Sequence, residues 1–187
     1  MADDFLLNIW HLNIPQKLEC FIWLTCNMKI NTWDTLCKKG WHGPNRCCLC
    51  KGDVESVEHL FVGCPFVKKV IWGLNCLYDV HLLWIAPTLL ENLSNWVSKG
   101  GTLQYLPLFL IWNIWKVRNR NLFDDLIPNI DGLLHIILDE VNTYKVPLKS
   151  RNKTCDIGEP PVSKFPMVFF DGACKFHWRS RYMYLVK

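Results

Sequence analysis

The chain has 187 residues, half of them hydrophobic and 20% charged, with ten Trp and ten Phe. This is enough apolar mass for one domain, or one domain with a fragment, and it excludes global disorder. The net charge of +4 is uneven: residues 1–144 carry 12 Lys and Arg against 14 Asp and Glu, whereas residues 145–187 carry 9 against 3. The basic tail favours an anionic partner, nucleic acid among them, and is equally typical of a solvated linker.

The N-terminal part predicts two helices ahead of a cysteine-rich loop. Residues 14–30 repeat apolar side chains at helical spacing, and Pro15 suits the first turn of that helix. A second, short helix is predicted over residues 32–40. Thr32 is its expected N-cap, and Gly40 marks its end.

Four more helices are predicted after the loop, and an irregular connector separates the first two of them. Their ranges are 65–74, 88–101, 103–123 and 129–144. Pro65 opens the first of these helices and Thr88 caps the second. The most apolar run, Leu106–Trp115, is too short for a bilayer, which needs about 20 such residues. We therefore expect a buried helix there and no membrane partner.

The C-terminal part changes in character. Residues 145–161 are rich in Lys, Arg, Ser, Asn and Pro, as linkers are, and "FPMVFFDGAC" (165–174) predicts a strand running into a turn. The chain shows no internal repeat. We expect a helical body, a linker and a short β-prone tail.

The ten cysteines do not indicate a secreted disulfide scaffold. Two aspartates lie at the N-terminus, where a signal peptide needs positive charge, and no long apolar segment follows them. Several other cysteines, such as Cys20, Cys26, Cys37 and Cys76, stand singly among apolar residues, as buried thiols do. We expect an intracellular protein in a reducing compartment.

The segment "CCLCKGDVESVEHLFVGC" (47–64) predicts a metal site with the spacing C-x2-C-x8-H-x4-C. Its members are Cys47, Cys50, His59 and Cys64. Two intervening residues let one tight turn present both Cys47 and Cys50, a spacing that Cys48 lacks, so we expect Cys48 to point away. Four N and S ligands suit tetrahedral zinc and leave no position for water. The predicted cofactor is therefore one structural zinc ion.

These residues resemble a known family. The stretches "IWHLNIPQKLECFIWL", "INTWDTLCKKGW" and "CCLCKGDVESVEHLFVGCPFVKKVIW" look like the zinc-binding region that follows the reverse transcriptase domain in plant non-LTR (LINE-type) retrotransposons. "LIWNIWKVRNRNLF" (110–123) is similar to the helix that follows it there. The resemblance implies the same four zinc ligands and an origin in a retroelement polyprotein, where such a region helps hold template RNA or DNA.

The tail "PPVSKFPMVFFDGAC" (160–174) resembles the entry to a ribonuclease H domain. Asp171 matches that family's first-strand aspartate. The reaction needs several carboxylates to hold two Mg²⁺ ions, and no Asp or Glu follows Asp171. Asp171 is thus a vestigial carboxylate, and we expect no enzyme activity.

The expected fold class is mainly α, a small helical domain stapled by one structural zinc site with a short β-prone C-terminal fragment. The expected parts are a zinc-binding, reverse-transcriptase-associated domain, a helical extension, a basic linker and a truncated ribonuclease H-like strand. Their ranges are 9–76, 77–144, 145–164 and 165–187.

The leading functional hypothesis is a non-catalytic module that binds single-stranded RNA or DNA weakly and without sequence preference. Aromatic side chains beside residues 47–64, which we call the metal loop, could stack on bases, and cations could contact phosphates. The candidates are Trp33, Lys38, Lys39, Trp41, Arg46 and Lys51. The lysines are equally typical of a solvated face. The alternatives are an inactive structural or protein-interaction remnant, with retroelement polymerase domains as partners, and a ribonuclease acting on RNA–DNA hybrids.

Overall fold

The protein is seen here in a computed structural model, which describes residues 5–7, 9–12, 14–43, 45–78, 80–98 and 103–145. The predicted strand with Asp171, and the predicted linker beyond its first residue, lie outside the described residues. Nothing in the structure tests those predictions.

In the described part of the chain the regular elements are helical. They are a 3-10 turn at Ile9–His11, α1 Gln16–Cys26, α2 Trp33–Lys38, a π-turn at His59–Gly63, α3 Pro65–Tyr78, α4 Leu89–Val97, α5 Leu106–Phe123 and α6 Ile130–Lys145. No strand occurs in these ranges. The prediction of a mainly α fold is confirmed, and the helices lie where the apolar periodicity predicted them.

The helix ends follow from local chemistry, with one departure from expectation. At α4 the Glu91 amide donates to Thr88 Oγ1 at 3.2 Å, so the predicted cap is confirmed. At α2 Thr32 holds the cap position without a capping bond, because its hydroxyl donates to Asp34 Oδ1 at 2.6 Å. The N-terminus of α2 is instead capped from a distant segment, the metal loop.

Helix α5 is the centre of the body and contacts α1, α4 and α6. Its first half is buried almost all round, as the apolar run predicted. The buried Asn113 donates from Nδ2 to Phe109 O at 2.8 Å and to Glu140 Oε2 of α6 at 2.7 Å. Within the described residues no helix is long and apolar enough to cross a membrane.

The irregular connector between α3 and α4 is held by two side-chain amides. Asn75 exchanges two hydrogen bonds with the Leu82 backbone, at 2.7 and 3.1 Å, and Asn92 does the same with Ala86, at 3.1 and 2.9 Å. Such paired bonds replace the backbone partners that a helix would have supplied.

One hydrophobic core runs through the described residues and crosses the boundary predicted at residue 76. It joins Leu18 and Phe61 on one side of that boundary to Ile114 and Ile137 on the other. Helices α3 and α6 approach so closely that a Cβ on Gly73 would lie 2.9 Å from Leu134 Cδ1. The metal loop therefore rests on the same core as the helices that follow it.

Candidate metal centre

The first half of the site is a tight turn that carries Cys47 and Cys50. The Lys51 amide donates to Cys47 O at 2.8 Å, and the Cys47 amide donates to Asp53 O at 2.7 Å. Lys51 has a φ of 60°, the left-handed conformation that such a turn needs. The next amide, of Gly52, then points at Cys50 Sγ at 3.4 Å. The turn thus presents both sulfurs to one side.

The second half depends on a π-turn that the sequence did not predict. Side chains five residues apart on an α-helix lie about 140° from each other around the axis. The wider turn over His59–Gly63, closed by a 2.6 Å bond from the Cys64 amide to His59 O, brings such residues onto one side. This is how the x4 spacing between His59 and Cys64 becomes compatible with a shared centre.

The structure brings together the four residues that the spacing predicted. Cys47 Sγ lies 3.9 Å from Cys64 Sγ, and Cys50 Sγ lies 3.3 Å from His59 Nε2. Ligand atoms held in a tetrahedron at roughly 2.0–2.3 Å from one ion lie about 3.3–3.8 Å apart, and these two separations are close to that range. All four ligand atoms lie within 4.8 Å of one another. Cys47 and Cys64 are fully buried. Three sulfurs and one imidazole nitrogen, with Cys50 and His59 partly buried, form a donor set that fits a single zinc ion.

The two buried sulfurs have unequal affinities for a proton. The pKa of Cys64 is lowered, first by its hydrogen bond with Cys47 and then by the Val67 and Phe66 amides in the first turn of α3. The hydrogen bond to Cys64, together with burial, raises the pKa of Cys47. The start of α3 therefore favours a thiolate at Cys64, the form that a metal binds.

An outer carboxylate faces the histidine of the site. His59 Nδ1, the ring nitrogen turned away from Cys50, lies 3.8 Å from Asp53 Oδ2. A carboxylate on this side of a metal-binding imidazole helps to orient the ring. The same Asp53 accepts the Cys47 amide through its backbone, so one residue contacts both halves of the site.

Cys48 lies outside the group of four. Its Sγ donates to Arg118 O of α5 at 3.6 Å, and burial, followed by the Glu55 carboxylate, raises its pKa to about 11. Elsewhere in the described ranges no other group of three or more His, Cys, Asp or Glu side chains could hold a metal.

Sequence reasoning missed a buried ion pair beside the site. Glu55, in the metal loop, and Arg118, in α5, are 2% and 3% exposed. Arg118 donates from Nε to Glu55 Oε2 at 3.2 Å and from Nη2 to Oε1, and its guanidinium lies 4.9 Å from the centre of the Trp115 ring. Glu55 Oε1 also accepts the Trp33 amide at 3.1 Å, which caps α2. No local pattern indicated the pair, because Glu55 and Arg118 each lie among other charged residues.

The candidate nucleic-acid contacts do not form a uniform surface. At the C-terminal end of α2, Lys38 lies 3.6 Å from Asp34 Oδ2, and the next residue, Lys39, donates to Asn31 Oδ1 at 2.9 Å. Trp33 is half-buried. Its indole N–H has no partner within the described ranges, and a Cβ on Gly43 would lie 2.7 Å from its ring.

The remaining candidates differ in exposure. Trp41 is half-buried, whereas Arg46 and Lys51 are exposed. Asp171 lies outside the described residues.

The sequence is similar to known proteins, most specifically in its N-terminal part. Residues 2–72 match the family described as zinc-binding in reverse transcriptase. Over 161 residues, or 83% of the chain, the sequence is 25% identical to an Arabidopsis thaliana protein provisionally named a ribonuclease H protein. The chain spans about a quarter of that relative, 26% of its length. No solved structure matches.

Proposed function

We propose that this protein is a zinc-stabilised, non-catalytic nucleic-acid-binding module derived from a retroelement polyprotein, since residues 2–72 match the family described as zinc-binding in reverse transcriptase. The observation that supports the proposal most is the convergence of four ligand atoms within 4.8 Å. They come from two separate turns, and each turn is shaped by its own backbone hydrogen bonds.

Within this proposal Cys47, Cys50, His59 and Cys64 hold one zinc ion, whose role is structural. Four protein ligands complete a tetrahedron and leave no position for a water nucleophile. The ion would neutralise the thiolates and tie the tight turn to the start of α3. Its binding free energy then becomes folding free energy.

Support for nucleic-acid binding comes from charge and from the match of residues 2–72 to a family described as zinc-binding in reverse transcriptase. Arg46 and Lys51 are exposed on or beside the turn that carries Cys47 and Cys50. The last 43 residues add nine Lys and Arg against three Asp and Glu. A sequence-independent contact of this kind loses affinity steeply with salt, because each neutralised phosphate releases counterions.

The test combines metal analysis with a binding titration on the full chain. Protein purified under reducing conditions should contain one zinc per chain, and a labelled single strand should bind at low salt and dissociate at high salt. Absence of zinc would overturn the metal centre. Absence of binding at low salt would favour the alternative of a structural or protein-interaction remnant.

We also propose that the chain does not cleave RNA–DNA hybrids. One carboxylate, Asp171, cannot hold two Mg²⁺ ions astride a phosphate. A labelled hybrid should stay intact in the presence of Mg²⁺. Mg²⁺-dependent cleavage that Asp171→Asn abolishes would contradict this.

A reducing, intracellular location belongs to the same proposal. All eight cysteines within the described ranges are free thiols, and a zinc site needs its sulfurs unoxidised. Retroelement polymerase domains are the proposed protein partners.

A further inference from the structure

Trp72 is the most exposed aromatic side chain among the described residues. It lies on α3, and 68% of it is accessible to solvent. Burying an indole is favourable, and a folded domain that leaves one so open commonly offers it to a partner. The inner side of the same helix is fully engaged in the core, through Val67, Val70 and Leu74.

Two lysines accompany Trp72 on the outer side of α3. Lys68 and Lys69 precede it by four and three residues, so all three side chains are neighbours on the helix surface. Both lysines are exposed, and the sequence of α3 contains no Asp or Glu. In the described ranges neither lysine takes part in an ion pair, although Asp131 and Asp139 are exposed on the adjacent α6.

This cationic, aromatic surface begins at the metal centre. Helix α3 starts directly after Cys64, and eight residues of helix place Trp72 about 12 Å along its axis. Lys69 lines the same cavity of about 320 Å³ as Cys50, the residue before the exposed Lys51. Lys69 thus lies at a cavity that the metal loop also lines, through Leu49 and Cys50.

We propose that the outer face of α3, formed by Lys68, Lys69 and Trp72, binds single-stranded nucleic acid, with a base stacked on the indole and phosphates on the lysines. Stacking platforms of this kind are tolerant of sequence, because every base has a π-face. The charge of the face suits a polyanion. The inference rests on the proposed nucleic-acid function and locates its surface.

The surroundings of the lysines distinguish α3 from α2. Lys38 and Lys39 form a similar adjacent pair at the C-terminal end of α2. Lys38 lies beside the Asp34 carboxylate and Lys39 donates to Asn31. A phosphate at α2 would have to displace these contacts, whereas at α3 it meets two lysines that have no acidic partner among the residues the structure describes. The two pairs are therefore matched in type and differ in their surroundings.

The experiment measures binding of fluorescein-labelled uridine and deoxythymidine dodecamers to the full zinc-loaded chain across a salt series. Lys68→Ala/Lys69→Ala should weaken binding and reduce the slope of log K against log salt by about 1.4, or roughly 0.7 per phosphate. Trp72→Ala should weaken binding by roughly 5- to 150-fold with the slope unchanged. Trp72→Phe should recover much of the loss, because it keeps a ring.

Lys38→Ala/Lys39→Ala is the matched control, since it removes the same charge from α2 and should leave the slope unchanged. Zinc content and far-UV circular dichroism check that each variant is folded. If Lys68→Ala/Lys69→Ala does not fold, Lys68→Gln/Lys69→Gln removes the same two charges and takes its place. If only the α2 variant loses binding, the proposed surface is wrong while the proposed function stands. If the unaltered chain binds neither strand at low salt, both fall.

Discussion

Cys47 and Cys48 are neighbours in the chain, yet their side chains serve different parts of the molecule. Cys47 Sγ faces Cys64 in the metal centre, while Cys48 Sγ donates to the backbone of α5. Burial keeps the Cys48 thiol protonated, since its pKa is raised to about 11. The direction of the side chain separates the two cysteines, because the pKa of Cys47 is raised as well.

Cys64→Ser should therefore destabilise the protein far more than Cys48→Ser. The first change removes a proposed ligand, and with it metal-binding energy that contributes to folding. The second replaces one weak donor by another and should cost no more than about 1 kcal/mol. Thermal unfolding together with zinc content measures both effects. Equal melting temperatures for the two variants would contradict the assignment.

Lys51→Gly should stabilise the metal turn. The left-handed conformation at Lys51, with φ of 60°, costs a residue with a Cβ about 1–2 kcal/mol, which glycine avoids. The extra freedom of glycine in the unfolded chain offsets about 0.5–1 kcal/mol. We expect a net gain of roughly 0.5–1 kcal/mol in urea unfolding of the zinc-loaded protein. Lys51→Ala, which keeps the Cβ, is the control and should show no such gain.

At the scale of elements, the buried pair of Glu55 and Arg118 ties the metal loop to two helices. Glu55 caps α2 through the Trp33 amide and neutralises Arg118 of α5. The two partners are 63 residues apart in the chain. The pair couples the loop to α5, because removing either partner would leave the other charge buried and unpaired.

Arg118→Met should lower the free energy of unfolding by about 3–5 kcal/mol, because it leaves the Glu55 carboxylate buried and unpaired. Lys116→Met is the matched control on the same helix. Lys116 pairs with Glu140 at 2.8 Å, but about a third of each side chain is exposed, so its loss should cost no more than about 1 kcal/mol. Urea unfolding compares the two.

Glu55→Gln combined with Arg118→Met should recover part of the stability, since the amide keeps an acceptor for Trp33 and carries no charge. A double variant no more stable than Arg118→Met alone would show that the buried charge is not the cause.

At the scale of the whole molecule, the metal loop forms hydrogen bonds with several helices of the body. Besides the Glu55 contacts, Glu58 Oε2 accepts the Leu89 amide at 2.7 Å and so caps α4. The backbone of Phe61 accepts the Trp84 indole N–H at 2.9 Å. One segment of seven residues thus contacts α2, α4, α5 and the connector before α4.

Removal of the metal by a chelator should therefore loosen far more than the loop. We expect faster hydrogen exchange in α5 as well as in residues 47–64, and a drop in far-UV ellipticity that zinc restores. The reason is that the core is continuous and the caps of two helices come from the metal loop. Faster exchange confined to residues 47–64 would show that the body is stable without the metal.

The helices and the membership of the metal cluster were open to sequence reasoning because both follow from local patterns. Apolar periodicity depends on residues three and four apart, and the pair Cys47 and Cys50 depends on one turn. The predicted helix starts at Pro65 and Thr88 agree with the structure for the same reason. These features need no knowledge of what the segment packs against.

Contacts between distant segments were decided only by the tertiary structure. The spacing alone could not show the π-turn that aligns His59 with Cys64. It also could not show that Glu55 pairs with Arg118, or that Thr32 makes no capping hydrogen bond at the start of α2. Nor could it separate the α2 lysines, which have partners, from Lys68 and Lys69. Each of these depends on which side chains the folded core places opposite each other, and a linear pattern carries no record of that.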